Sequence, residues 1–575
     1  MKKLISLALA STMALGLLAG CGGDKDPAPA ESTAPAESTA PEATGARMEN
    51  MNICFASEPQ SIDPALNSAV DGAVLIQHMF EGLMTWGDSG KPVEDATVNY
   101  AELVPGQAEK YEKVANDDGT VTYTFTLRDD NMWSDGKPVV AGDFEYAWKR
   151  AVSPKTAADY QNMFSAIVGF DTASTDDTKL DDLAVKAVDD KTLEVTLSVD
   201  LPYFLELCAF PTYMPVRQDM IEAAGDQWTF DPATYIGNGP YQMTAWTHNS
   251  AIEMAENVNY RGTEKVGPKT ITFTLSDDDN AMLAGYRSGE LDFIQTVPVD
   301  EIAGLLTDDI LKIIPYVGTY YVCYQNEKAP FDDWRVRKAF TLAINSKYIV
   351  DRVTQTGQIP ADGWVPTGIA DADPAGADFR TTGGAYWEAP LTDEIYAKNL
   401  EEANKLLDEA GYTDRSTFPV VEYLYNTNDN HRAIGEALQQ QWQEGLGVRV
   451  TLKNQDWSVF LQTRKDGDYM VARNGWINDY NDAMGFMDMW VTGGGNNDAQ
   501  YTNPDYDAAI NKALTTSDPA ERMAAMHEAE DLIIGQDWAL GPIYFYTQTY
   551  VMNDAINGVY YTPLGYFFFQ NAVEG

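Results

Sequence analysis

Residues 121–160 read VTYTFTLRDDNMWSDGKPVVAGDFEYAWKRAVSPKTAADY. The first seven residues place Val121, Tyr123, Phe125 and Leu127 on one side of an extended chain, with threonines on the other. That alternation is the signature of a half-buried strand. The turn Asp117-Asp118-Gly119 precedes it. Downstream, Asp143 is expected to cap a helix that carries Phe144, Trp148 and Ala151 on one face. A strand handing over to an amphipathic helix is the unit of an α/β fold, and it recurs along the chain. Residues 192–199 (TLEVTLSV) and 270–275 (TITFTL) alternate in the same way. Residues 279–293 predict a short helix stopped at Gly289 and then a strand. Helical stripes run through 333–353, 399–412, 431–447 and 521–534, and strands are expected at 448–454 and 541–552. No repeat period appears in this body.

The chain has 575 residues, of which 44 % are apolar and 22 % charged, a globular balance too long for one core. Two or three domains are expected. Lys and Arg number 39 against 87 Asp and Glu, a net charge of −48. Such a surface repels phosphate backbones, so nucleic acid is excluded as a partner.

The N-terminus is MKKLISLALASTMALGLLAGC. Two lysines precede an apolar run from Leu4 to Leu18 that is too short for a membrane span. Its end, Leu18-Ala19-Gly20-Cys21, resembles the lipobox of bacterial lipoproteins and makes Cys21 the expected lipidated residue. Residues 22–49 contain the repeat PAEST and few large apolar side chains, the composition of a disordered tether. Signal peptide (1–21) and tether (22–49) together predict a protein working outside the cytoplasm, on the cell surface or in a periplasm. The remaining cysteines, Cys54, Cys208 and Cys323, are odd in number and are expected to be small buried hydrophobes.

Catalytic signatures are missing. His78, His248, His431 and His527 show no zinc-ligand spacing, and there is no HExxH, CxxC, GxSxG or phosphate loop. Neither cofactor nor metal is expected. With 87 acids and 13 tryptophans, a surface glycoside hydrolase or sugar receptor stays open as an alternative, without a motif to carry it.

The segment 472–482, ARNGWINDYND, gathers a cation, anions and aromatics with neither helical stripe nor clean alternation. It is either a decorated surface loop or the wall of a binding site. Its last eight residues, GWINDYND, complete a series of blocks that together resemble the dipeptide/oligopeptide-binding family of ABC importers. In order these are SEPQSIDPALNS (57–68), FEGLM (80–84), 123–160, LPYFLEL (201–207), 238–260, YRSGELDF (286–293), 318–345 and 475–482. The resemblance covers about residues 50–575. It implies an α/β periplasmic-binding-protein-like type II fold, with two lobes joined by a hinge and three domains. Placed on this chain, domain I is 50–80, 221–321 and 546–575, domain II is 81–220, and domain III is 322–545. The implied function is capture of short peptides for an ABC permease and its ATPase. The receptor, expected to be a monomer, would itself catalyse nothing.

The resemblance also implies a site. Asp479 fits the aspartate that holds the peptide's α-ammonium. Trp476 walls a side-chain pocket or packs in the core. Arg473 meets the C-terminal carboxylate or pairs with an acid of the site. His431 and Trp457 match positions near the ligand's far end, with a surface histidine at a helix start as the competing reading of His431. Tyr160 matches a ligand-facing tyrosine from the other lobe. Asn67, Ser68, Ala69 and Val70 match a strand that sandwiches the peptide against Gly475, Trp476 and Ile477. The chain departs from the family where Ala483 replaces a common proline. Ile477 and Asn478 replace smaller residues and are expected to reshape the first pocket.

Overall fold

The computed structural model describes residues 32–33, 45–262 and 266–575. The expected signal peptide, Cys21 and most of the tether lie outside them. Two stretches of the expected tether are nonetheless strands. Ser32–Thr33 pairs with Tyr111 and Glu112, and Ala46–Arg47 pairs with Val573 and Glu574. Edge pairing uses backbone groups alone, so a tract poor in large side chains can still add to a sheet.

The sheets set the frame. Val121–Leu127 lies inside an antiparallel five-stranded sheet between Ala108–Ala115 and Thr192–Leu197, and its residues alternate buried and half-buried. A second sheet has eleven strands and is mixed. In it Asn50–Ala56 runs parallel to both Thr270–Leu275 and Phe293–Ile294. Two strands of 13 residues, Lys312–Tyr324 and Leu540–Met552, run antiparallel through its middle. The end of Leu540–Met552 pairs with Phe293–Ile294, while Lys312–Tyr324 hands on to Val471–Ile477. This long pair thus ties the two halves of the sheet together, and its register breaks between Pro315 and Thr319. Val421–Asn426 and Val450–Gln455 complete the far half. The result is a mixed α/β molecule of several sheets.

Most expected elements are present, with local differences. Asp143 does not cap its helix. The helix is Ala141–Val152, Val140 is the cap, and Asp143 reaches back to accept the Val140 N–H (3.0 Å) and Trp133 Nε1–H (3.0 Å). Three residues in, its carboxylate still serves the free N–H groups and the positive helix end. The stripe at 333–353 breaks after Trp334–Leu342, because the Asn345 side chain accepts the Tyr348 N–H (3.0 Å) and starts a new turn. Segment 472–482 is not free of regular structure: Val471–Ile477 is a strand and only the rest is loop. Conversely, 67–70 is no strand. Ala69 is extended, and Val70 opens the helix Val70–Met79. Gly289 ends its helix at φ +77°, a conformation that glycine adopts without the Cβ penalty. Cys54, Cys208 and Cys323 are buried and free, and burial pushes the thiols of Cys54 and Cys323 up to about 12.

One buried ion pair ties the five-stranded body to the segment 61–70. Arg150 donates Nη1 and Nη2 to Asp63 (2.8 and 2.6 Å), and Asp63 also accepts from Trp228 Nε1 (2.9 Å) and Ala65 N (2.9 Å). Removing one partner leaves a charge buried and unpaired, at a cost of about 3–5 kcal/mol. Arg150→Met is therefore expected to lower unfolding stability by that order in urea titration. Asp63→Asn combined with it should cost less than the sum of the single changes.

Candidate functional site

A cavity of about 370 Å³ lies between the five-stranded body and the large sheet. Asn67, Ser68, Ala69, Val70, Tyr160, His431, Trp457, Arg473, Gly475, Trp476, Ile477 and Asp479 all line it. One strand organises them. Val471–Ile477 pairs along its whole length with Lys312–Tyr324, but on its other side only Val471 and Ala472 are paired, with Tyr423 and Leu424. From Arg473 to Ile477 that second edge carries no strand among the described residues. On it the Gly475 N–H is held by its neighbour's side-chain oxygen, Asn474 Oδ1 (2.8 Å). A Cβ at Gly475 would stand 2.3 Å from Tyr546 Oη, so the strand approaches this tyrosine as only glycine can.

Beyond the strand end, Asp479 projects into the cavity. Its Oδ1 accepts a hydrogen bond from Tyr160 Oη (3.0 Å), donated by the opposite body. No cation pairs with it among the described residues. Burial pushes its carboxyl well above the usual carboxylate range, the charge of Asp488 adds to this, and the Tyr160 hydrogen bond opposes it. The Trp476 ring is half-buried and stands 6.4 Å from the Tyr160 ring, while its Nε1 is anchored on Gly485 O (2.7 Å). It therefore serves both as packing and as cavity wall.

At the other end Arg473 also lacks an ionic partner among the described residues. Its guanidinium lies 5.4 Å from the Tyr320 ring and 5.8 Å from the Trp457 ring, and its Nε is buried without a hydrogen bond. The internal ion pair considered for it is not formed. His431, at the start of the helix Asp429–Leu446, faces the cavity rather than bulk water, with Nδ1 3.3 Å from Tyr320 Oη. Burial and then Arg473 hold its imidazole well below the ordinary histidine range. Trp457 donates Nε1 to Asp71 Oδ2 (3.1 Å) and so bridges two segments of the wall. Asn478, expected to reshape the first pocket, does not reach the cavity. Its amide turns back to donate to Tyr480 O and to Asp482 O (3.0 Å).

Several cavity residues escaped the sequence reading. Arg464 pairs with Asp498 (3.3 Å) but keeps Nε and Nη1 buried without partners. Lys465 reaches across to Asp159 of the other body. Both close the helix Trp457–Lys465, where cations are ordinary helix-end residues, so nothing in the pattern marks them as cavity-facing. Asp71, pushed up to about 6 by burial, and Tyr546, within the expected strand 541–552, also face the cavity, and no local pattern marks either as doing so. No cluster of metal-ligating side chains occurs among the described residues.

Two bodies with a cavity between them, and long strands tying the large sheet together, have the architecture of a two-lobed solute receptor. The profile of the bacterial extracellular solute-binding proteins, family 5 middle, matches residues 102–498. The chain belongs to this family. It is 36 % identical over 529 residues to the oligopeptide-binding protein OppA of Bacillus subtilis, covering 91 % of this chain and 92 % of that one. Among solved structures, the OppA of Haemophilus influenzae in complex with RPPGFSPFR superposes with a TM-score of 0.82 at 31 % identity, covering 92 % of this chain and all of that one. The murein tripeptide-binding protein MppA of Escherichia coli gives 0.82 at 29 % identity, covering 92 % and 99 %. Its unliganded open form gives only 0.59 with the same coverage. The lobes of this chain are therefore disposed unlike that open form, as the contacts across the cavity require.

His431 is expected to stay neutral in the free protein at neutral pH, so its imidazole NMR signals should titrate only well below the ordinary histidine range. Arg473→Gln removes one of the two causes and should raise its pKa measurably.

Proposed function

We propose that the protein is a lipid-anchored, extracytoplasmic receptor that captures short peptides and delivers them to an ABC permease. The observation that carries this reading is a pair of side chains with no ionic partner among the described residues, Arg473 on a free strand edge and Asp479 just beyond its end, both facing one cavity. A ligand that satisfies all three features has an ammonium at one end, a carboxylate at the other and backbone hydrogen-bonding groups between. At about 3.3 Å per residue, the four steps from Arg473 to Ile477 span about 13 Å, the scale of a peptide of a few residues. Strand addition on this edge accepts any side chains, since it engages only backbone. Asp479 holds the α-ammonium, with Tyr160 steadying it from the facing lobe. Arg473 takes the C-terminal carboxylate, and His431 and Trp457 shape that end. Trp476 walls a pocket, while residues 67–70 cover the peptide opposite Gly475–Ile477.

The relatives support this reading: the Bacillus subtilis protein is named for oligopeptide binding, and the Haemophilus influenzae structure holds a peptide. The family is one of receptors, which favours binding over hydrolysis. The sequence supports lipidation at Cys21 and the membrane attachment that follows. The lobes would be domain I (50–80, 221–321, 546–575) with domain II (81–220), closing against domain III (322–545).

Calorimetry with tri- to pentapeptides tests the reading. A charge-assisted hydrogen bond is worth about 1.5–3 kcal/mol, so N-acetylation, or Asp479→Ala, is expected to weaken binding by about 10- to 150-fold. Equal affinity for free and acetylated peptides would overturn it. The pH dependence has a defined sign. Burial raises the Asp479 pKa in the free receptor, and a bound ammonium would lower it. Between the two values the complex holds fewer protons than the free receptor. Affinity is then expected to rise with pH across that window, and binding to release a proton, seen as a heat that varies with the buffer.

A further inference from the structure

The loop that carries Asp479 is held by a residue that never touches the cavity. Arg522 sits on the helix Pro519–Glu530, is 4 % exposed, and donates Nη1 and Nη2 to the two carboxylate oxygens of Asp482 (2.8 and 2.7 Å). The same carboxylate accepts the Met484 N–H (2.9 Å) through Oδ1. The Asp482 carbonyl accepts the Asn478 amide (3.0 Å), and Asn478 N–H is fixed on Val317 O (2.9 Å). Residues 478 and 482, on either side of Asp479, are thus tied together and pinned at both ends.

The opposite face of the guanidinium meets the other lobe. Its Cζ lies 5.3 Å from the Tyr203 ring, and Tyr203 stacks on Tyr480 (4.2 Å between centroids, 10° between planes). Glu206, three residues along, accepts the Asn481 N–H (2.7 Å). The loop is therefore gripped from below by Arg522 and from across the seam by Tyr203 and Glu206. A planar guanidinium suits this place because it can hold a carboxylate bidentately and pack a ring on its face at once; an ammonium cannot.

We propose that Arg522 is a positioning residue for amine recognition: by fixing Asp482 and the Tyr203–Tyr480 stack, it holds Asp479 where the ligand's ammonium must lie. The inference rests on the peptide reading given above. Only the amine-dependent part of binding passes through this loop, because the free strand edge and Arg473 are held by the sheet. Loss of Arg522 should therefore erode discrimination between free and blocked amines more than it erodes binding as such.

The test is calorimetry of one tripeptide and its N-acetylated form on the full chain, with the thermal midpoint of each variant recorded. Wild type is expected to favour the free amine at least tenfold. In Arg522→Gln this ratio should fall below threefold, while the affinity for the acetylated peptide changes by less than threefold. Arg522→Lys, which keeps the charge but loses the fork, should give an intermediate ratio and covers the case in which the glutamine variant does not fold. Arg380→Gln breaks another buried pair on the same helix, with Glu530, and should keep the wild-type ratio whatever its thermal midpoint. A wild-type ratio in both Arg522 variants, or an equal loss for both peptides, overturns the inference. Failure of the peptide reading shows itself separately, as a wild type that does not discriminate at all, and removes the inference with it.

Discussion

An unpaired charge in a place shielded from water is what the rest of this molecule is arranged around. Asp479 and Arg473 each face the cavity, and among the described residues neither has an opposite charge beside it. Leaving a charge without its partner in such surroundings costs several kcal/mol. The molecule carries that cost at two points, and on the function proposed above a ligand bearing the two opposite charges would remove both. The acid lowers its own share by favouring the protonated form, and the guanidinium, which cannot, lies between aromatic faces that stabilise a cation weakly. Binding energy is in this sense stored in the receptor as unmet electrostatic demand.

The demand exists only when the lobes meet. Tyr160 reaches Asp479 from the five-stranded body, Lys465 reaches Asp159, and Trp457 reaches Asp71. Each contact joins segments far apart in sequence across the cavity. Exclusion of water on closure strengthens every one of them, since the same charges attract several times more strongly away from bulk solvent. The two long strands that cross the large sheet, with their register break at Pro315–Thr319, are the continuous covalent and hydrogen-bonded link about which such a closure can turn. Ligand charge and lobe closure are then one equilibrium, because the ligand stabilises the closed arrangement by what it neutralises there.

Much of this was legible in the sequence because it lives in periodicity. The Val121–Leu127 alternation, the Gly289 stop and the apolar helical stripes depend on local chemistry and survive folding unchanged. The placement of Asp479, Trp476 and Arg473 on one wall was legible only through resemblance, since no local pattern distinguishes them from solvated loop residues. What stayed hidden depends on contacts that no local pattern encodes. Arg464 and Lys465 look like helix-end cations until Asp498 and Asp159 are brought to them. Asn478 looked like a bulky pocket residue, and only its hydrogen bonds to Tyr480 and Asp482 show that it faces inward. The Asp143 shift from cap to third helical residue is of another kind: either position sets a carboxylate against free N–H groups at the helix start, so composition alone cannot separate them.

A receptor for many sequences must be exacting about something, and on the function proposed above the exacting parts would be the ends and the backbone. The fixed elements are a strand edge, one carboxylate and one guanidinium, each held by the sheet or by a braced loop. Side-chain space is bounded instead by amides, hydroxyls and aromatic faces such as Asn426, Thr427, Gln548 and Tyr566, which can exchange water for ligand groups at small cost. Rigid recognition of what all peptides share, and adaptable contact with what differs between them, are separate demands on the same cavity. The structure meets them with separate parts: ion pairs and strands on one hand, polar walls on the other. The bracing of residues 478–482 belongs with the first set, and the proposed role of Arg522 would let a buried arginine outside the cavity bear on which ligands the cavity prefers.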